Sequence, residues 1–215
     1  QNEILRLLEC VGLAGAEPVS VQPTLSVIPA DRAEIEAFIP DPSRQLAVIH
    51  AGATDPRRHW GEENFAQVGD RLAADGYTVV LVGMQAERAA TERIEQLMRH
   101  PALNLAGRIS LGALVGLIER ACILVANDSG PIHLAEALGT PSVGIYWAGN
   151  MVNFGPAAVA RHRQLLSWQL DCPVCGRNTI YDSCEHRDSY VRCVPVQDVV
   201  DAVWDVLAYA QKVGD

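Results

Sequence analysis

Residues 123–147, ILVANDSGPIHLAEALGTPSVGIYW, place a polar turn between two apolar runs. The turn is Asn127, Asp128, Ser129 and Gly130, and it follows an aliphatic run of strand length over residues 121–126. Pro131 stands where a helix would begin, a position that tolerates its missing N–H and suits its fixed φ. Gly139 and Pro141 close that helix, and residues 142–146 read as the next strand. A βαβ unit with such short loops aims backbone N–H groups and the positive end of a helix dipole at one point, which suits a phosphate. Asp128 or Ser129 would serve equally as a plain N-cap. His133, in the first helical turn, either faces the resulting cleft or rests on the sheet.

Three further groups carry chemistry. After the apolar run 47–50, the segment Ala51, Gly52, Ala53, Thr54, Asp55, Pro56, Arg57, Arg58 combines small residues, which let backbone approach a ligand, with guanidinium groups that bind phosphate oxygens in pairs. The bland reading is a solvated arginine pair. After residues 78–82, Gly83 leads to Glu87 at a helix start, where a carboxylate can accept both hydroxyls of a ribose or simply favour the helix dipole. Last, Cys172, Cys175, Cys184 and Cys193 are spaced C-x2-C-x8-C-x8-C. That spacing suits a tetrahedral structural zinc site with His186 as a spare ligand, and reduced thiols in an irregular loop are the alternative. A disulfide framework fits less well. Cys10 and Cys122 read as small apolar residues.

The elements that must hold these groups alternate. Strands are expected at 47–50, 78–82, 104–105, 121–126 and 142–146, with helices at 62–75, 86–99, 111–120 and 131–138. The fold class is therefore α/β, a Rossmann-like parallel sheet covered by helices on both faces. Ligands of such sheets bind beyond the carboxyl ends of the strands, and the groups above all follow strands. Residues 1–44 read as a helical remnant and linker, with a further strand at 25–28 and a helix at 31–38. Residues 45–195 read as the binding domain and 196–215 as a terminal helix. The start in Gln1 and a helical pattern suggests the C-terminal half of a two-domain protein.

Composition sets limits. A chain of 215 residues buries roughly 70% of its unfolded surface without staples. A formal net charge of −9 argues against a nucleic-acid footprint, which needs a basic face. No run approaches the ~18 apolar residues of a membrane span and no secretory leader is visible, so a cytoplasmic location is expected.

Two blocks then point to a family. NDSGPIHLAEALGTPSVGIY and IHAGATDPRRHWGEENFAQVGDRL resemble glycosyltransferase family 9, the ADP-heptose:lipopolysaccharide heptosyltransferases, and the cysteine-rich tail with its VPVQDVVDAVWDVL helix is similar as well. The resemblance implies the C-terminal domain of a GT-B enzyme, transferring heptose with inversion to the lipopolysaccharide inner core without a required metal. It implies that Arg58, at a position commonly lysine, and Thr54 contact the donor phosphates. It also places Glu87 on the ribose and Ile109 against the adenine. Asp128, Ser129, Gly130 and His133 complete the donor set. The general base is expected in the other half, as are the acceptor site and any peripheral membrane association at the inner face of the membrane. An epimerase-like nucleotide-sugar enzyme on the same fold, or a non-catalytic binding module, remains as an alternative.

Overall fold

A computed structural model describes residues 2–156 and 159–214 of the chain. Six parallel strands form one sheet in the order β3-β2-β1-β4-β5-β6. They are β1 (Leu46–His50), β2 (Thr78–Val82), β3 (Leu103–Asn104), β4 (Ile123–Asn127), β5 (Ser142–Trp147) and β6 (His162–Ser167). β1, β4 and most of β2 and β5 are buried along their lengths, as their unbroken aliphatic runs require of central parallel strands. Alternate residues face opposite layers. Ala47, Ile49, Val79 and Leu81 join one core cluster, and Leu46, Val48, Val80 and Val82 the other.

On the first face lie α3 (Glu62–Ala74), α4 (Arg88–Leu97) and α8 (Val196–Gly214). Phe65, Leu72, Ile94, Val199 and Val203 fill that layer. The terminal helix packs on this domain's own sheet through Val199, Val203, Val206 and Leu207. On the second face lie α2 (Pro29–Phe38), α5 (Leu111–Arg120) and α6 (Gly130–Leu138). Ile35 of α2 is buried there with Leu117 and Ile118 of α5. Arg32 clasps Glu119 through Nε and Nη2, at 2.7 and 2.6 Å. Residues 29–39, placed in the linker by the sequence reading, thus complete a core layer. α1 (Glu3–Leu13) buries none of its residues and meets α7 (Ala148–Phe154).

The strand expected at 25–28 does not form. Leu25 N–H donates to Ala137 O, no sheet edge lies beside it, and Pro29 starts α2 directly after. β6 and α7 were not expected. β6 is an edge strand, HRQLLS, whose middle residues are half-buried, so it lacks the apolar run of the others. No helix among the described residues is long and apolar enough to cross a membrane.

The strand order reverses between β1 and β4: chain and sheet run outward from β1 through β2 and β3, then restart at β4 on its other side. The helices that follow β1 and β4 leave on opposite faces, and a crevice opens between the two strand ends.

Candidate functional site

The reversal point brings the ends of β1 and β4 together, and the two ends are tied to each other. Asn127, the last residue of β4, is fully buried. Its Nδ2 donates to Ala51 O at 2.6 Å and its Oδ1 accepts from Trp60 N–H at 3.2 Å. The loop after β1 is anchored in the core by Trp60, which is itself fully buried. The Trp60 indole N–H donates to Val194 O at 2.9 Å and its ring meets Phe65 edge-on at 5.1 Å. The Gly61 N-cap of α3 has φ of +107°, a value that suits glycine.

α6 begins at this crevice with Ser129 as N-cap and Pro131 in its first turn, and no side chain caps it. The capping alternative therefore does not hold. Ser129 Oγ instead donates to Asn127 O at 3.0 Å and faces His50 Nδ1 at 3.1 Å. A Cβ built on Gly130 would meet no atom within 4 Å, so space for an anion opens directly before the helix N-terminus. At the other end Gly139 adopts the left-handed αL cap, φ +73°.

A cavity of about 750 Å³ lies beside Ser129 and Gly130. Thr54, Glu87 and Ile109 line it, as does His50, and Leu114 and Leu134 add apolar wall. Glu87 ends a short 3-10 turn after β2 (Gln85–Glu87). Its Oε2 accepts from Met84 N–H at 2.7 Å and lies 3.5 Å from His50 Nε2. The His50 contact, with smaller help from the Met84 N–H, holds the Glu87 carboxyl below its ordinary range against the opposing effect of burial. Gly52 is the floor on which this carboxylate rests, since a Cβ there would overlap Glu87 Oε1.

Arg58, Asp128 and His133 form a second group on the other flank of the α6 start. Arg58 Nη1 donates to Asp128 O at 3.1 Å and lies 3.4 Å from Asp128 Oδ2. Asn150 of α7 donates to the same oxygen at 2.8 Å, and His133 Nε2 stands 3.7 Å from Oδ1. The Asp128 side chain is only 2% exposed, against 23% for Arg58 and 41% for His133. Burial pushes the Asp128 carboxyl up, but His133, Asn150 and the Arg58 charge outweigh it and hold the group ionised below its usual range. Asp128, expected among the ligand-binding residues, is a buried carboxylate in contact with Arg58. His133 lies outside the cavity wall, on the side where α6 faces Asn2, Glu3 and Phe154.

Sequence reasoning missed His50, Asn127 and Asn150 as members of the site. The first two carried a signal: each is the polar residue that ends an apolar strand. Asn150 sits on the unexpected α7 and carried none.

The cysteine set requires a correction. Cys172, Cys175, Cys184 and His186 place one ligand atom each within 4.8 Å of one another. Cys193 is not among them. Its Sγ lies 3.2 Å from Ser167 Oγ and points toward Tyr190 O, because Cys193 sits in the turn before α8, beside the end of β6. The described cysteines are free thiols. The backbone N–H of Cys175, and to a lesser extent that of Val174, brings the Cys172 thiol down to about 6, while burial opposes them.

The sequence profile described as glycosyltransferase family 9 (heptosyltransferase) matches residues 5–181. The chain belongs to glycosyltransferase family 9. Lipooligosaccharide heptosyltransferase 2 of Haemophilus influenzae is 31% identical over 136 residues, covering 59% of this chain and 39% of that protein. Lipopolysaccharide heptosyltransferase 3 of Escherichia coli is 27% identical over 194 residues, covering 88% of this chain and 55% of that one. Among solved structures, E. coli ADP-heptose lps heptosyltransferase II shares the fold with a TM-score of 0.73 at 22% identity, over 90% of this chain and 56% of that one. The family 9 glycosyltransferase of Veillonella parvula does so equally, over 86% and 53%. The fold is thus that of a GT-B heptosyltransferase domain, and the chain spans about half the length of these relatives.

Proposed function

We propose that this chain is the donor-binding half of an inverting glycosyltransferase that moves heptose from ADP-heptose to the lipopolysaccharide inner core. The observation that carries the reading is the meeting of three features at one point. These are an uncapped helix N-terminus with open space before Gly130, a guanidinium held beside it by Asp128, and a 750 Å³ cavity walled by Glu87 and Ile109.

In this reading the adenine lies against Ile109 and its apolar neighbours, and the ribose hydroxyls donate to Glu87, which is ionised and so acceptor-only. The diphosphate spans Thr54, the N–H groups of Ser129 and Gly130, and Arg58. As the bond to the sugar breaks, negative charge grows on the departing diphosphate. Donors already aimed at that place stabilise it without reorganising. His133, exposed on the first turn of α6, supplies a further donor to the same phosphates once the ligand is seated. No described residue near the cavity is assigned as base, and the base and acceptor site belong to the other half. The transfer chemistry at the phosphates requires no metal, and the location is the cytoplasm at the inner face of the membrane.

Calorimetric titration with ADP and with UDP tests this. Binding of ADP in preference to UDP, weakened in Arg58→Ala, is the expected result. Preference for UDP would move the donor, as an epimerase-like enzyme would require. Turnover failure of the whole protein despite ADP binding would favour a binding module.

A further inference from the structure

We infer that Cys172, Cys175, Cys184 and His186 bind one tetrahedral divalent metal ion, zinc by the character of the ligands, and that this centre fastens the loop presenting Arg58. Three sulfur ligands and one imidazole form a common structural zinc set. Zinc–sulfur bonds of about 2.3 Å place the corners of a tetrahedron roughly 3.8 Å apart. The four ligand atoms, mutually within 4.8 Å, need only a small inward movement to reach it.

Two observations independent of spacing point to an ion. His186 Nδ1 is buried without a hydrogen-bond partner, an arrangement that is costly unless something accepts its lone pair or proton. The first two cysteines also lie on a tight backbone knuckle. Cys172 N–H donates to Arg177 O at 2.8 Å, and Gly176 N–H donates to Cys172 O at 2.9 Å. Gly176 has φ +73°, which allows the chain to turn back under the thiols. Such a turn sets the direction of both sulfurs before any metal arrives.

The centre's position gives it a task. Past His186 the chain reaches Ser189 and Tyr190, which hold the loop after β1 by its backbone. Ser189 Oγ donates to His59 O at 2.5 Å, and Tyr190 N–H donates to Arg57 O at 2.8 Å. These carbonyls flank Arg58. A metal that closes residues 172–186 therefore steadies the strap 189–190, which in turn limits where the guanidinium can point. This second step rests on the donor reading of Arg58. The metal site does not.

Metal analysis of the protein purified without chelator, for zinc and iron together, is the first test, followed by X-ray absorption to count sulfur and nitrogen ligands. One equivalent of metal in a shell of three sulfurs and one nitrogen is expected. It should be lost in Cys184→Ser and in His186→Ala but kept in Cys193→Ser. Iron in the same shell would uphold the site and replace zinc as its occupant. A metal-free protein, a shell of four sulfurs, or loss of metal in Cys193→Ser with retention in His186→Ala would overturn the assignment. Cobalt reconstitution of the wild-type chain gives a tetrahedral visible spectrum without relying on any variant. Metal removal is then expected to weaken ADP binding by about 2- to 30-fold, the range for coupling through packed contacts. Unchanged ADP affinity after full metal loss would leave the centre standing and refute its link to Arg58. Absence of ADP binding in the metal-loaded protein would instead indict the donor reading.

Discussion

The two flanks of the α6 N-terminus are built on opposite plans. On the cavity side, Glu87 stands 18% exposed among apolar walls, with two protein partners and room for a ligand. On the other side Asp128 is sealed beneath Arg58, His133 and Asn150. The Glu87 carboxylate borders open space, whereas Asp128 is buried with its Oδ2 held by Arg58 and Asn150. The difference shows that two acids in one site, both held ionised, can have unlike duties. Burial and partners decide which.

Ways to break this contrast can be ordered by size. The largest effect belongs to the anchor of the Arg58 loop. Trp60→Ala removes a fully buried indole and is expected to cost about 3–5 kcal/mol, read by denaturant unfolding, with ADP binding lost even where the protein stays folded. Retained ADP affinity would mean that the loop needs no anchor.

A second effect separates the stability of the sheet from that of the site. Burial, followed by the charges of Arg161 and Arg163, lowers His162 on β6 from 6.5 to about 4, and its Nδ1 lies 2.8 Å from Ser142 Oγ. The unfolded chain binds this proton more tightly. Stability from the neutral ring is therefore whole above pH 6.5 and drains as pH falls toward 4, by about 3 kcal/mol in all. Asp128 and Glu87, both depressed, lose their contribution only below the ordinary carboxylate range. His162→Asn should flatten stability between pH 6.5 and 4 while leaving the fall below 4 intact. An unaltered profile would assign the upper limb elsewhere.

Next come the two members of the sealed pair. Arg58→Ala should weaken ADP binding by about 10- to 100-fold, as loss of a charge-assisted contact implies. Asp128→Asn keeps the shape and should weaken it less, by about 3- to 10-fold, since Arg58 stays but is less firmly aimed. Tighter binding in Asp128→Asn would show that the carboxylate merely repels the phosphates. An effect of the same size is expected at Glu87. Glu87→Gln should reduce affinity for ADP by about 3- to 10-fold and leave pyrophosphate unaffected. An equal loss for both would remove Glu87 from the ribose.

Much of this was legible in the sequence because central parallel strands are apolar throughout and end abruptly in polar residues. The turns after β1, β2 and β4, with Thr54, Glu87 and Ser129, were therefore found in place. The opposition of Asp128 to Arg58 was not, since 70 residues separate them and only the strand order brings them together. β6 escaped notice as a half-polar edge. His186 was named as a spare ligand, but the departure of Cys193 from the cluster escaped because spacing counts sulfurs and does not show which way a chain turns.

Gly52 and Glu87 touch so closely that a side chain at 52 must move the carboxylate. Any side chain at 52 occupies the place of the carboxylate, which is the far end of a flexible chain, so the fold can yield by turning Glu87 aside while the carboxylate loses its position. A library randomised at both positions and selected for folding should therefore accept side chains at 52. Selection for donor binding on top of that should leave glycine with an acid, so the two screens together would separate what the fold allows from what the ligand demands.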